Sequence, residues 1–381
     1  MPQDYSITFL KQISDIDKDV WNNLSDTDHP FVKHEFLKAL EDSKSVTAET
    51  GWMPYHLVLQ EGDNIVGAAP MYVKGHSQGE YVFDHGWADA YERAGGRYYP
   101  KLQLSVPFSP VTGPRFLVPN GPRQTERKEQ LAAGARQVAV KLGISSVHIT
   151  FLTQKELPIL DENNYLIRTG EQFHWVNDDY KCFDDFLSAL TSRKRKAIRK
   201  ERKEANNPEL EFEIVSGDAI TPDHWDAFFA FYIDTGNKKW GTPYLNRAFF
   251  DQIGDTLGDQ TVLFMVKRKD RYIAGALNFK SSDCLYGRYW GCIEDHRFLH
   301  FETCYYRAIE YAIDHGIKRV EAGAQGPHKL ARGYLPTKTY SAHWMQDPGF
   351  HHAVADFLKA ETRDMNAEIQ YLEKHSPFKK Q

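Results

Sequence analysis

Apolar and polar positions change period along the chain in a regular order. In the second half, LEFEIV (210–215) reads as a strand, alternating with period two. TPDHWDAFFAFYIDTGNKK (221–239) opens on a Thr cap followed by Pro, then spaces Trp225, Phe228, Phe229 and Tyr232 as one helical face. A hairpin over 264–279 and a strand LYGRYWGC (285–292) follow. FETCYYRAIEYAIDHG (301–316) reads as a helix stopped by Gly316, and IKRVEA (317–322) as the next strand. A strand, a helix and a strand with so short a return predict a parallel pair joined by a right-handed crossover.

The first half repeats part of this order. HLVLQEGDNIVGAAPM (56–71) aligns without gaps with FMVKRKDRYIAGALNF (264–279), pairing Gly67 with Gly275, and a third strand is expected at EYVFDHGW near 80–87. TERKEQLAAGARQVAVKLG (125–143) predicts a helix, SSVHITFL (145–152) a strand, and LIRTGEQFHWV (166–176) a strand with a Gly break. LSVPFSPVTGPRFLVP (104–119) carries four prolines and reads as a rigid extended segment with turns. The pattern predicts two copies of one α/β domain: residues 1–180, a basic connecting helix over 181–209, and a second domain over 210–381.

The connecting segment changes the electrostatic picture. Phe183, Phe186, Leu187 and Leu190 form an apolar stripe that nearly stops there; from Arg193 to Lys203, eight of eleven residues are Lys or Arg. On a helix, Arg195, Arg199 and Arg202 make one row and Lys196, Lys200 and Lys203 the next. With a formal charge of −5 for 381 residues, a basic patch must be local. It is either a solvated face or a contact for the phosphates of RNA or of a diphosphate.

Composition narrows the rest. None of the four cysteines stands in a C-x-x-C pair, so no zinc knuckle and no metal is expected. The N-terminus lacks a basic region followed by an apolar core, and the apolar runs are too short to span a membrane, so the chain reads as cytoplasmic with no transmembrane segment. There is no G-x-S-x-G elbow, H-E-x-x-H pair or Walker loop.

The stretch with the most chemistry is AGAQGPHKLARGYLP (322–336). It follows the last predicted strand, where open α/β sheets collect ligands, and sets His328, Lys329 and Arg332 among glycines. Gln325, Gly326 and Gly333 supply backbone there, and the segment reads as an anion-holding loop. Arg288 and Trp290 on the third strand are either groove-lining or core residues. Tyr340 and His343 fall on a following strand and are candidates for proton transfer. Asp84, His85 and Trp87 are the first-half counterparts.

PFSPVTGPRFL, GEQFHW, DDFLSALTSRKRKAIRKER, FLHFETCYYRAIEYAI and AGAQGPHKLARGYLPTKTYSAHW together resemble the FemAB-like group of the GNAT acyltransferase superfamily, over about residues 5 to 370. The resemblance implies an α/β protein of two tandem GNAT-like domains, with mixed central sheets flanked by helices. It implies transfer of an acyl or aminoacyl group to an amine; Fem relatives take the group from aminoacyl-tRNA to a peptidoglycan precursor. Acyl-CoA and aminoacyl-tRNA both stay open as co-substrate, and the acceptor as a small or nucleotide-linked, cell-wall-related amine. The lysine that Fem relatives carry before a glycine-containing turn matches Lys329, with Gly333 after it. One feature departs from ordinary GNAT proteins: GCIEDHRFLHFETC (291–304) has no glycine after Gly291 where a CoA pyrophosphate cradle would be, and only YERAGGRYYP (91–100) offers a partial match. A non-catalytic pair that binds an anionic ligand or RNA is the alternative.

Overall fold

The computed structural model describes residues 5–238, 241–324 and 326–379. They fold as two compact units, each built from two stretches of chain: unit 1 from residues up to Gly170 and Lys338–Ala367, unit 2 from Glu171–Thr337 and the residues from Glu368 on. In chain order the strands are β1 (Tyr5–Leu10), β2 (Trp52–Pro54), β3 (His56–Glu61), β4 (Asn64–Ala69), β5 (Met71–Lys74), β6 (Lys101–Leu104), β7 (Ser146–Leu152), β8 (Leu166–Val176), β9 (Leu210–Ser216), β10 (Thr261–Arg268), β11 (Arg271–Lys280), β12 (Cys284–Cys292), β13 (Arg319–Glu321) and β14 (Leu335–Met345). The helices used below are α1 (His34–Asp42), α2 (His85–Arg93), α3 (Gln124–Leu142), α4 (Phe183–Ala189), α5 (Ser192–Ala205), α6 (Pro222–Lys238), α7 (Leu299–Phe301), α8 (Arg307–Asp314) and α9 (Pro348–Lys374).

In unit 2, β9, β10, β11 and β12 form an antiparallel meander, β13 lies parallel to β12, and β8 closes the order antiparallel to β13. α7 and α8, joined by a π turn at Glu302–Tyr306, make the crossover. Unit 1 repeats this order: β1, β3 and β4 are antiparallel, β5 pairs with β6, β7 lies parallel to β6 after α3, and β14 closes antiparallel to β7. Its second hairpin strand is cut at Pro70, which has no N–H to give a ladder. The half before Pro70 pairs with β3 and the half after it with β6. This is the mixed α/β arrangement expected from the resemblance.

The gapless match between the hairpins does not survive as a residue correspondence. A Cβ at Gly67 would meet Leu131 of the crossover helix α3, whereas one at Gly275 would meet Phe228 and Phe231 of α6, which precedes its hairpin. A slip of one residue turns a strand position to the other face, so the hairpins correspond as elements and the glycines do not. The strand expected near 80–87 is also absent: Tyr81 takes φ +59°, and residues 85–93 are the helix α2. The third strand of unit 1 is β6, because Glu80 and Asp84 turn inward to the ammonium of Lys101.

The segment 181–209 forms two helices rather than one. Leu190 and Thr191 are extended between α4 and α5, and Leu190 makes a β-bridge to Phe378. Phe186, Leu187, Leu190 and Ile198 join Trp175, Phe264, Leu285, Ile309, Val320 and Tyr334 in the core of unit 2. The core of unit 1 lies between α3 and β3, β6 and β7, around Leu57, Leu59, Leu102, Leu131, Val147 and Ile149. Each such side chain contributes about 1.5–3 kcal/mol on burial.

Candidate functional site

The glycine-rich loop leaves the carboxyl end of β13, and Pro327–Arg332 wind into a 3-10 helix before β14. Gly326 and Gly333 fix its two ends. Gly326 has φ +127° and a Cβ there would stand 2.6 Å from the His328 ring; Gly333 has φ +91° and a Cβ would stand 2.7 Å from the Phe186 ring. Only glycine takes both the torsion and the close approach. Gln325 lies outside the described residues.

This turn drives its cations inward. Lys329 is 2% exposed, and its Nζ donates to the carbonyl of Gly323 at 2.9 Å. Burial pushes its pKa down to about 8; Arg288 on β12 works in the same direction and Cys304 against it. His328 Nε2 lies 2.9 Å from the Tyr305 hydroxyl. Burial, with Arg332 and Lys329 adding, lowers the His328 pKa, so its ring is neutral at pH 7. Burial raises Tyr305 well above the ordinary phenol range, so it keeps its proton. Tyr305 sits in the π turn, an irregularity that recurs at functional sites.

Arg332 is a brace rather than a free anion ligand. Its Nη2 donates to Glu201 at 2.9 Å, its Nη1 to the carbonyl of His328 at 2.7 Å, and its guanidinium lies 3.4 Å from the centre of the Phe301 ring. Tyr306 also donates to Glu201. Lys329 and Arg332, expected together on an anion-holding loop, are both buried. Arg288 lies over the Tyr289 ring at 5.2 Å. Trp290 is half-buried, faces His300 at 5.4 Å and packs against two apolar clusters of unit 2.

The basic run divides by the face of α5. Arg202 turns inward to Glu302 at 2.9 Å and Glu310 at 3.0 Å, and Arg199 pairs with Asp184 at 3.1 Å. The row Arg195, Arg199 and Arg202 is thus not one phosphate-facing row: Ile198 and Ala205 are buried in the protein, and Arg202 lies on the border of their face.

Neither the 291–304 junction nor the 91–100 stretch forms a conventional pyrophosphate cradle. Between β12 and α7 the helix begins after Phe298, itself at φ +62°, beside a 380 Å³ cavity lined by Asp295, His296, Arg297, Phe298, His300 and Phe301. Glu294 is paired with Arg268 and His296, and Arg297 with Glu204. In unit 1, Gly95 and Gly96 follow the C-terminus of α2, where carbonyls rather than N–H groups face outward.

Tyr340 and His343 belong to unit 1, with other partners. Tyr340 packs against the apolar core of that unit. His343 is fully buried, its Nδ1 2.7 Å from His148 Nδ1 and its Nε2 2.9 Å from Ser341 Oγ. His148 in turn reaches Ser146 at 2.8 Å and Tyr98 at 3.3 Å, and Tyr98 donates to Asp84 at 2.6 Å. Lys101 donates to Ser77 at 2.8 Å, to Glu80 at 2.7 Å and to Asp84. Asp84 and Trp87 therefore serve a buried polar network. His148, Tyr98, Lys101, Tyr305, Glu201 and Cys304 were not singled out in the sequence; cross-strand pairing sets His343 opposite His148, and long-range side-chain contacts bring in Tyr98, Lys101, Tyr305 and Glu201. Among the described residues no group of three His, Cys, Asp or Glu side chains is arranged to hold a metal ion, and no helix is long and apolar enough to cross a membrane.

Comparison with known structures finds the same fold. FemX aligns with a TM-score of 0.56 at 12% identity, covering 92% of this chain and all of that one. L-PGS from Bacillus licheniformis aligns with a TM-score of 0.52 at 8% identity, covering 88% of this chain and 98% of that one. A conserved protein of unknown function from Bacteroides thetaiotaomicron aligns with a TM-score of 0.50 at 13% identity, covering 89% and 99%. A search of curated proteins gives no significant match. A family model described as FemAB-like, peptidoglycan biosynthesis/recognition, matches residues 12–380, and the chain therefore belongs to the FemAB-like family.

Proposed function

We propose that this protein transfers an acyl or aminoacyl group from a phosphate-bearing carrier to an amine, with the site in unit 2 around Lys329. In such a reaction the amine nitrogen attacks the carbonyl carbon. A C–N bond forms, the bond to the carrier oxygen or sulfur breaks, and the proton lost by the amine ends on the carrier. Family membership supports the reaction class. The observation that carries the site is a buried lysine with one carbonyl partner at the end of the parallel strand, its pKa pushed down to about 8.

Below that pKa Lys329 is an ammonium in a poorly solvated place, where a cation stabilises charge developing on a carbonyl oxygen far better than in water. His328 is neutral and accepts a proton at a ring nitrogen; Tyr305 holds the ring in place through its hydroxyl. Arg332, through Glu201, fixes the backbone on which both sit.

Lys329→Met tests the reading. It keeps the length of the side chain and removes the cation; turnover falls by about 10²–10³-fold, the cost of losing one such donor. Unchanged turnover in a folded Lys329→Met protein overturns the assignment.

A further inference from the structure

Unit 1 buries four charged side chains in one cluster. Lys74 and Lys101 come from the paired strands β5 and β6, and Glu80 and Asp84 from the segment 75–84 between β5 and α2. The charges balance but the contacts do not. Lys101 takes both carboxylates, Glu80 at 2.7 Å and Asp84, and Ser77 as well. Lys74 is left 3.9 Å from Glu80, beyond hydrogen-bond reach, and donates to the carbonyl of Gln78 at 3.2 Å. Its Nζ lies 3.7 Å from the centre of the Trp52 ring and 3.5 Å from His76 Nδ1. That ring nitrogen already accepts from the Gln78 N–H at 3.1 Å, and His76 Nε2 donates to the carbonyl of Thr50 at 3.0 Å. A fully buried ammonium with no carboxylate in contact is the costly form of a lysine. Burial, with Lys101 adding and Glu80 and Asp84 opposing, pushes the Lys74 pKa down to about 7.

We propose that Lys74 makes the segment 75–84 a proton-linked clasp, which closes over the cluster as Lys74 gives its proton to solvent and opens as Lys74 takes one back. Opening returns the amine to water, where a lysine keeps its proton up to about pH 10.4. On closing, the neutral amine still has an N–H for the Gln78 carbonyl, so the closed contact survives the loss of charge. Acid favours whichever state binds more protons, which is the open one. The closed clasp therefore gains as pH rises from 7.5 to 9. The other titratable groups around Lys74 hold steady over that window. In the segment, Asp84 lies below its ordinary value and stays ionised, Glu80 is largely ionised above pH 7.5, and His76, lowered chiefly by burial, is neutral. From β6 and the residues before it, Lys101 stays an ammonium, and Tyr98 and Tyr99 keep their protons.

Hydrogen exchange of the whole chain, read by mass spectrometry at pH 7.5 and pH 9 and divided by the intrinsic rate at each pH, tests the clasp. Gly75 and Gln78 are amides held at the segment, by the Gly51 carbonyl and the His76 ring. Their protection rises by more than about tenfold between the two pH values. At pH 7.5 it is lower than that of β7, which marks the opening as local. K74M has no proton to lose and gives equal protection at both pH values. K74R carries a guanidinium that stays charged; it shows no rise and less protection than K74M. The proposal is overturned by equal protection at both pH values in the unsubstituted chain, or by the same rise in K74M or K74R. It is equally overturned by a segment that exchanges no faster than β7.

Discussion

Each unit buries a lysine beside its parallel strand pair, and the two are treated in opposite ways. Lys101 of unit 1 starts β6 with three side-chain partners, two of them carboxylates. Burial alone would lower its pKa, but Glu80 and Asp84 more than offset it, so the pKa is raised and the ammonium is fixed. Lys329 of unit 2 is as deeply buried, with one backbone carbonyl and no carboxylate among its hydrogen-bond partners, and its pKa is lowered. A caged cation is structure. A buried cation with a single neutral partner is available to something else, and that difference supports the proposed site in unit 2; Lys74 of unit 1, also buried with its pKa pushed down to about 7, differs in having Glu80 within 3.9 Å.

Lys101→Met should break the comparison most forcefully. It strands Asp84 as a buried carboxylate and leaves Glu80 only Lys74 at 3.9 Å, and losing one partner of a buried pair costs about 3–5 kcal/mol. Denaturant unfolding should show a loss of that size; a loss below 1 kcal/mol removes Lys101 from the structural role. Lys329→Met should do the reverse, lowering turnover by about two to three decades while the unfolding midpoint moves by no more than about 1 kcal/mol. The lost bond to Gly323 is offset by relief of the buried charge.

Acid sharpens the contrast next. His148 is pushed down to about 3, chiefly by burial, and His343 lies well below its ordinary value. Both are neutral in the folded unit and bind protons near pH 6.5 when unfolded, so their contribution is complete above pH 6.5 and is lost as pH falls from there. At pH 5 His148 costs about 2 kcal/mol, and His343 acts in the same direction. Glu80, raised to about 7 chiefly by burial, opposes this by taking a proton in the folded state. His343→Gln should flatten the acid side of the stability profile; an identical profile would mean the pair is already solvated.

The smallest effect is on the alkaline side of the rate. If the ammonium of Lys329 is the working form, kcat declines above about pH 8, tenfold per unit once past the pKa, about 1.4 kcal/mol. Lys329→Arg should move that limb out of range. A limb that stays at pH 8 in Lys329→Arg belongs to another group.

Most elements and the place of the loop were legible in local sequence. Periodicity located β9, α6 and β12 nearly to the residue, because apolar spacing records which face of an element is buried; the helix expected over 301–316 is α7, a π turn and α8 in succession, and β13 is shorter than the stretch 317–322. Gly326, Lys329 and Gly333 stood out for the same local reason: positive torsions and a cation after a strand are written in consecutive residues. Partnership, by contrast, came from the folded chain alone. That Arg202 and Arg332 are braces, that Tyr305 meets His328, and that Tyr340 and His343 belong to unit 1 are facts about residues far apart in the chain. The division of the basic run on α5 is of the same kind. Charge density marked the helix in the sequence, but which cations face solvent depended on where Ile198 and Ala205 found a core. A side chain's charge is local information; whether that charge is neutralised is set by what the fold brings beside it.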